Sequence, residues 1–210
     1  LQSQQRTAAA QAAGLFDDEI VPLAAKKLLF DKEGKPAGHE DVIANRDECN
    51  RPSTQLEDLT KLQPVVKDGQ WVKQGEFITA GSASQFSDGA SAALLMSHDE
   101  AKRRGIAPLG IYRGIAVAGC APEEMGIGPV FAIPKLLEQH GLKVSDIGLW
   151  EINEAFACQV LHVRDTLGIP NDRLNVNGGA ISIGHPFGMS GARMVGHALI
   201  EGRRRGVRYV

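Results

Sequence analysis

The fold class follows from residues 147–167, which have the sequence IGLWEINEAFACQVLHVRDTL. The first six of these residues are mostly apolar, which is typical of a buried strand. A helix is predicted over 154–167, because apolar side chains recur on one face at Phe156, Val160, Val163 and Leu167. Gly168 and Pro170 end that pattern. A strand that leads directly into an amphipathic helix predicts a layered α/β domain.

The same alternation continues on both sides of this unit. Short apolar runs predict further strands over 91–96, 109–117 and 174–176. Helical spacing predicts helices over 99–104, 128–139 and 188–205, each followed by a glycine that can end it. The chain from about residue 77 onward is therefore expected to be an α/β domain.

The N-terminal third has a different pattern. Residues 3–14 are rich in good helix formers and end at Gly14, which predicts a helix. Residues 15–75 are polar, with scattered glycine and proline, a turn at 31–36 and a short helix predicted over 54–62. Apolar residues recur throughout this stretch, so we expect a loop-rich subdomain rather than a linker.

Composition excludes several classes of function. The chain has 210 residues and a net charge of -2, so nothing in its electrostatics suggests a nucleic-acid partner. No apolar run approaches the roughly 20 residues of a membrane span, and no signal peptide is visible. The three cysteines, Cys49, Cys120 and Cys158, are too widely spaced for a metal knuckle or a disulfide framework. We therefore expect a cytoplasmic protein without a metal site.

Three glycine-rich stretches lie between the predicted strands and helices. They are TAGSASQFSDG at 79–89, MGIGP at 125–129 and NGGAISIGHPFGMSG at 177–191. Ligands of open α/β sheets bind at such junctions, and glycine permits close approach of the backbone. Tight turns explain the first two stretches equally well. None matches a phosphate-binding loop or a dinucleotide fingerprint.

His185 is the first candidate catalytic residue. It lies between Gly184 and Pro186, just ahead of the helix predicted over 188–205. The positive end of a helix dipole disfavours imidazolium, so the ring is kept neutral, as a general base requires.

Asn153 is the second candidate. It follows an apolar strand and precedes a predicted helix, at the strand end where functional residues gather in α/β folds. Asparagine also fills the N-cap of a helix well, and position alone fits both interpretations.

Four motifs together resemble the thiolase family. They are NEAF at 153–156, NGGA at 177–180 with GHP at 184–186, TAGSAS at 79–84 and MGIGP at 125–129. The resemblance is closest to acetyl-CoA acetyltransferases and 3-ketoacyl-CoA thiolases. It implies a thiolase-like layered α/β fold, of which this chain is the C-terminal βαβαβαββ half, with a loop-rich α+β subdomain. Residues 1–75 would be part of the loop domain that binds coenzyme A. Residues 76–210 would form the C-terminal core, with its last strands and terminal cysteine loop beyond Val210.

The resemblance also implies roles for individual residues. His185 would activate the nucleophilic cysteine and help to form an oxyanion hole, and Asn153 would hold a water in the second oxyanion hole. Arg51, in Cys49-Asn50-Arg51-Pro52, would meet the adenine end of coenzyme A. The pantetheine arm would lie along Ala80, Ala83, Ser84, Met125, Ala155 and Phe156.

The implied activity is that of an acyl-CoA C-acyltransferase in fatty acid metabolism. It would condense two acyl-CoA molecules or cleave 3-ketoacyl-CoA with coenzyme A, through an acyl-cysteine intermediate. The coenzyme A thioester is the substrate, no metal or redox cofactor is implied, and a homodimer or homotetramer is expected. The nucleophilic cysteine would lie upstream of Leu1 and the acid/base cysteine beyond Val210, so these residues alone should be inactive. Neither Cys120 nor Cys158 occupies a family cysteine position.

Three alternatives stay open. The first is a non-catalytic acyl-CoA- or lipid-binding protein of the same fold, and the intact His185 and Asn153 motifs favour an enzyme over it. The second is a condensing ketosynthase, against which the segment 79–84 argues. The third is a fragment with no activity of its own.

Overall fold

The computed structural model describes residues 1–210. The helices are α1 (Gln2–Ala12), α2 (Leu56–Thr60), α3 (His98–Arg104), α4 (Gly128–Gln139), α5 (Ala157–Leu167), α6 (Ala180–Ile183) and α7 (Phe187–Arg204). Short 3-10 turns span Pro122–Ile127, Val144–Asp146 and Asn171–Arg173. The strands β1 (Leu23–Phe30) and β2 (Pro36–Ala44) form a two-stranded sheet. None of these helices combines the length and the hydrophobicity that a bilayer crossing demands.

Local end signals explain why the predicted helices form. The Ser97 side chain accepts a hydrogen bond from the backbone N–H of Glu100, which caps the start of α3. Gly105 and Gly168 adopt left-handed conformations directly after α3 and α5, where a side chain would be strained. The helices predicted at 99–104, 128–139 and 188–205 are accordingly present, within one residue at each end.

The helix predicted over 154–167 begins three residues late, at Ala157. Phe156 is extended, with φ of -140° and ψ of 144°, and it bridges Ala83 in antiparallel fashion. Pairing with a segment far away in sequence thus overrides the helical periodicity that begins at Glu154.

The prediction of strands over 91–96 and 109–117 is wrong. Neither segment belongs to a sheet, and their apolar side chains, such as those of Leu94, Ile115 and Val117, are exposed. A strand requires a neighbour for its N–H and C=O groups, and none lies beside these two segments. Residues 147–152 and 174–176 come together at one parallel bridge, between Trp150 and Leu174.

The hairpin of β1 and β2 was not predicted as strands. Its antiparallel register pairs Leu23 with Ala44 and Leu28 with His39, and the Asp31 carboxylate closes the turn by accepting from the N–H groups of Glu33 and Lys35. Most of its residues are exposed on both faces, so the apolar/polar alternation that marks a half-buried strand is absent.

The main core lies where residues 147–152 meet α5. Seven buried apolar residues form it: Ile147, Trp150, Ile152, Val160, Val163, Ile169 and Leu174. A smaller cluster of Ala10, Phe16 and Ile183 packs the C-terminal part of α1 against α6. These two clusters fix the positions of residues 153–156 and 179–185.

Candidate active site

The segment 82–85 is paired with residues 155–157, which follow Asn153 directly. The backbone N–H of Ser84 donates to the carbonyl of Ala155 at 2.9 Å, and that of Ala157 donates to the carbonyl of Ser82 at 2.8 Å. Ala83 and Phe156 form the bridge between these two hydrogen bonds. Four of the predicted pantetheine residues (Ala83, Ser84, Ala155 and Phe156) therefore lie together.

Gln85 joins this pair to the loop that carries His185. The Gln85 carbonyl accepts from the backbone N–H of His185 at 3.2 Å. The Gln85 side-chain amide donates to the carbonyls of Ile181 and Cys49, at 2.9 and 2.8 Å. One side chain thus connects three stretches of chain that are distant in sequence.

The His185 ring meets the Asn153 side chain directly. His185 Nε2 lies 3.1 Å from Asn153 Nδ2, although 32 positions separate the two residues. The other ring nitrogen, Nδ1, lies 2.6 Å from Ser190 Oγ. The helix-cap interpretation of Asn153 is wrong, because α5 starts later and its N-cap is Phe156.

The hydrogen-bond partners of His185 are compatible with one tautomer that suits a base. The Pro186 carbonyl can only accept, so the 3.1 Å contact from Ser190 Oγ uses the serine proton. In that arrangement Ser190 Oγ accepts from Nδ1 at 2.6 Å, and Nε2 presents its lone pair to the Asn153 amide. A ring in this form can take up a proton at Nε2.

A glycine is required directly before the histidine. Gly184 has φ of +97°, and a Cβ there would collide with Ser87 Oγ and lie 3.2 Å from Cys49 Sγ. The close approach of these side chains to the backbone places a thiol beside the loop of His185. No local pattern around Cys49 predicts this position.

Glu154 fixes the position of the motif at 153–156 through its side chain. Its buried carboxylate accepts from Ser3 Oγ at 2.6 Å, from the backbone N–H of Ile181 at 3.1 Å and from Asn175 Nδ2 at 3.3 Å. This one side chain ties the residue after Asn153 to α1, to α6 and to residue 175.

Three predicted substrate-binding residues lie apart from the histidine–asparagine pair. The Arg51 side chain is exposed and makes no hydrogen bond, while its backbone N–H donates to Gln4 Oε1 at 2.7 Å. Ala80 is exposed, and Met125 is exposed in the turn that precedes α4. No hydrogen bond joins any of the three to His185 or Asn153.

Sequence reasoning missed Ser190, Gln85 and Glu154. Ser190 follows His185 by five residues, at the start of a predicted helix, and this spacing was a usable signal for a hydroxyl that reaches back to the ring. Gln85 and Glu154 act through partners that are distant in sequence, and no local pattern marks them.

Known proteins resemble this chain over nearly its whole length. The model of the thiolase N-terminal domain matches residues 1–99, and that of the thiolase C-terminal domain matches residues 106–210. Peroxisomal 3-ketoacyl-CoA thiolase B of Rattus norvegicus is 47% identical over 208 residues, which cover 99% of this chain and 46% of that protein. Acetyl-CoA acetyltransferase of Chromobacterium violaceum is also 47% identical over 208 residues, covering 99% and 49%.

A solved structure agrees with these relatives. The crystal structure of human mitochondrial 3-ketoacyl-CoA thiolase in complex with CoA superposes with a TM-score of 0.82 at 41% identity, covering 99% of this chain and 47% of that one. The chain belongs to the thiolase family and has the mixed α/β thiolase fold. It spans slightly less than half the length of these three proteins.

The expectation of a cytoplasmic protein is wrong as a general statement. The rat relative is peroxisomal by name, and the human structure is of a mitochondrial enzyme.

Proposed function

We propose that the protein containing this chain is an acyl-CoA C-acyltransferase, which condenses two acyl-CoA molecules or cleaves 3-ketoacyl-CoA with coenzyme A. The 3.1 Å contact between His185 Nε2 and Asn153 Nδ2 is the observation that carries this proposal. It places a proton acceptor and an amide donor at one point, which acyl transfer through an oxyanion requires. The names of the relatives, thiolase and acetyltransferase, support the same reaction class.

His185 would act as the general base. Nε2 takes the proton of a cysteine thiol that another part of the protein supplies, and the thiolate attacks the thioester carbonyl carbon. The carbon–sulfur bond to coenzyme A then breaks, and Nε2 returns its proton to the leaving thiolate, which departs as the free thiol. Ser190 contacts Nδ1, so Nε2 is the ring nitrogen that takes up and returns the proton.

Asn153 would stabilise charge on an oxygen. Its Oδ1 is buried and has no hydrogen-bond partner, and native proteins rarely leave such an atom unsatisfied. A water that donates to Oδ1 would satisfy it and could in turn donate to an enolate oxygen. That role serves carbon–carbon bond formation, in which the α-carbon of one acyl-CoA attacks the acyl-enzyme.

Coenzyme A would approach along the paired segments 82–85 and 155–157. Ala83, Ser84, Ala155 and Phe156 would face the pantetheine arm, with Ala80 and Met125 nearer to solvent. The exposed guanidinium of Arg51 can reach the adenine end, since no other group holds it. Residues 1–75 would then belong to the loop domain and residues 76–210 to the C-terminal core. We further propose a homodimer or homotetramer, which light scattering of the full-length protein would test.

The test separates the two half-reactions in the full-length protein. His185→Ala should slow both acyl-enzyme formation and condensation by orders of magnitude, because a single imidazole serves both steps. Asn153→Ala should slow condensation by about 100- to 1000-fold, as removal of an oxyanion donor does, and should affect acylation less. Acyl-enzyme is measured by rapid quench with labelled acetyl-CoA, and condensation by the release of coenzyme A.

The exposed residues His162 and Asn45 provide matched controls. Replacing either with alanine should leave both half-reactions unchanged. Condensation at a near-normal rate in the His185 variant would contradict the proposed mechanism. A wild-type protein that binds acyl-CoA without turnover would instead support the non-catalytic alternative.

A further inference from the structure

One face of α7 is polar and yet buried. Ser190, Arg193, His197 and Glu201 recur at intervals of three or four residues, so they lie on the same side of the helix. Ser190, His197 and Glu201 are buried, and the Arg193 side chain is only 13% exposed. This polar stripe begins at the serine that orients His185.

Three members of the stripe have well-formed hydrogen bonds. Ser190 contacts the His185 ring, as described above. His197 Nδ1 lies 2.7 Å from Glu19 Oε1, and Arg205 Nε donates to Glu201 Oε1 at 2.6 Å. Their positions are thus explained by local pairing.

Arg193 is the exception. Its Nη1 lies 3.7 Å from Glu151 Oε2, which is too long for a hydrogen bond. Nε and Nη1 of Arg193 and Oε1 of Glu151 are buried without any partner. Native proteins rarely leave so many buried polar atoms of one pair without partners, and such atoms suggest a role at a functional site.

Glu151 precedes Asn153 by two residues. Both residues line one cavity of about 410 Å³, together with residues 116–118, 128–129 and 132–133. The Glu151 side chain is only 5% exposed. The carboxylate is therefore next to the site but shielded from water.

Burial raises the pKa of Glu151 to about 7. The neighbouring His197 and Arg193 lower this pKa, and the carboxylates of Glu154 and Glu19 raise it. Asp47 also faces Arg193, and burial raises its pKa as well. Glu151 thus changes its charge near neutral pH, and its attraction to Arg193 changes with it.

We propose that Glu151 is a positioning residue for the active site. Its ionised carboxylate, drawn to Arg193, holds the segment that carries Asn153 against α7, the helix whose first turn orients His185. This role rests on the proposed acyl transfer. When Glu151 is protonated the attraction is lost, and the contact between Asn153 and His185 loosens.

The test is Glu151→Gln in the full-length protein. We expect kcat to fall by about 10- to 100-fold, as for other groups that orient a catalytic residue, with KM for acyl-CoA little changed. Because burial raises the pKa of Glu151, the ionised form prevails above about pH 7, and its contribution to kcat is lost as the pH falls through that value. The wild type should show this ionisation in its kcat profile and Glu151→Gln should lack it. Glu138→Gln, on the exposed face of α4, is the matched control and should match the wild type.

A second variant keeps the proposal testable if Glu151→Gln does not fold. Arg193→Lys retains the charge but reaches less far, so the weakened attraction should move the same ionisation to higher pH. A kcat profile unchanged in either variant would overturn the positioning role. If the wild type shows no turnover, the proposed function fails. The side-chain amide signals of Asn153 then decide the positioning role, since they should shift across neutral pH in the wild type and not in Glu151→Gln.

Discussion

Helix α1 and the hairpin of β1 and β2 are neighbours in sequence, but they differ in whether polar or apolar side chains are buried. Polar Ser3, Gln4 and Thr7 are buried in α1, whereas apolar Leu23 and Ile43 are exposed in the hairpin. Each buried polar group of α1 has a partner near the site: Ser3 bonds Glu154, Gln4 bonds the Ile181 carbonyl and Thr7 bonds Ser182. Burial here follows hydrogen-bond complementarity, not hydrophobicity.

The same comparison explains which parts of the fold could be predicted. Helices such as α3 and α4 depend on spacing and end signals within about a dozen residues, and sequence contains both. The ladders expected over 91–96 and 109–117 depend on a partner strand, and no local pattern specifies that partner. The hairpin was missed because it has no buried face to generate an alternating pattern.

The candidate site divides in the same way. The positions of His185 and Asn153, at a predicted helix start and a predicted strand end, mark both as candidates, and the resemblance to thiolases implies their roles. That their side chains would touch could not be derived from a separation of 32 residues. Glu151 and Glu154 matter through contacts with α7, α1 and α6, which only the folded chain brings together.

The largest effect should come from removing the buried carboxylate of Glu154, which joins residues 153–156 to α1 and α6. Glu154→Ala removes the acceptor shared by Ser3, the Ile181 N–H and Asn175. A buried donor left unsatisfied costs about 1–3 kcal/mol, so with three donors affected the free energy of unfolding should fall by about 3 kcal/mol or more. Glu33→Ala, in the exposed hairpin turn, should change it by no more than about 0.5 kcal/mol. Urea denaturation of the full-length variants measures both. Equal losses in the two variants would contradict the view that the buried polar contacts of Glu154 stabilise the fold more than the exposed hairpin does.

An intermediate effect is expected from paired glycine substitutions. Gly184 and Gly34 both have positive φ, of +97° and +76°, but only Gly184 has neighbours that an added Cβ would strike. Gly34→Ala should cost about 1–2 kcal/mol, the backbone strain alone, and Gly184→Ala should cost more and also slow acyl-enzyme formation. Thermal unfolding and rapid quench measure the two effects. A Gly184 variant no worse than the Gly34 variant would show that the approach of Ser87 and Cys49 does not hold the His185 loop.

The smallest effect, and the most direct test, concerns the proton on His185. The proposed role of His185 as the base needs a ring with the proton on Nδ1, beside Ser190, and the lone pair on Nε2, beside Asn153. The ¹⁵N chemical shifts of the His185 imidazole in the full-length protein report this tautomer. We predict a protonated Nδ1 and a bare Nε2 at neutral pH, with mixed tautomers and a roughly tenfold lower kcat in Ser190→Ala, the lower end for loss of an orienting partner. A proton on Nε2 in the wild type would contradict the assignment of His185 as the base.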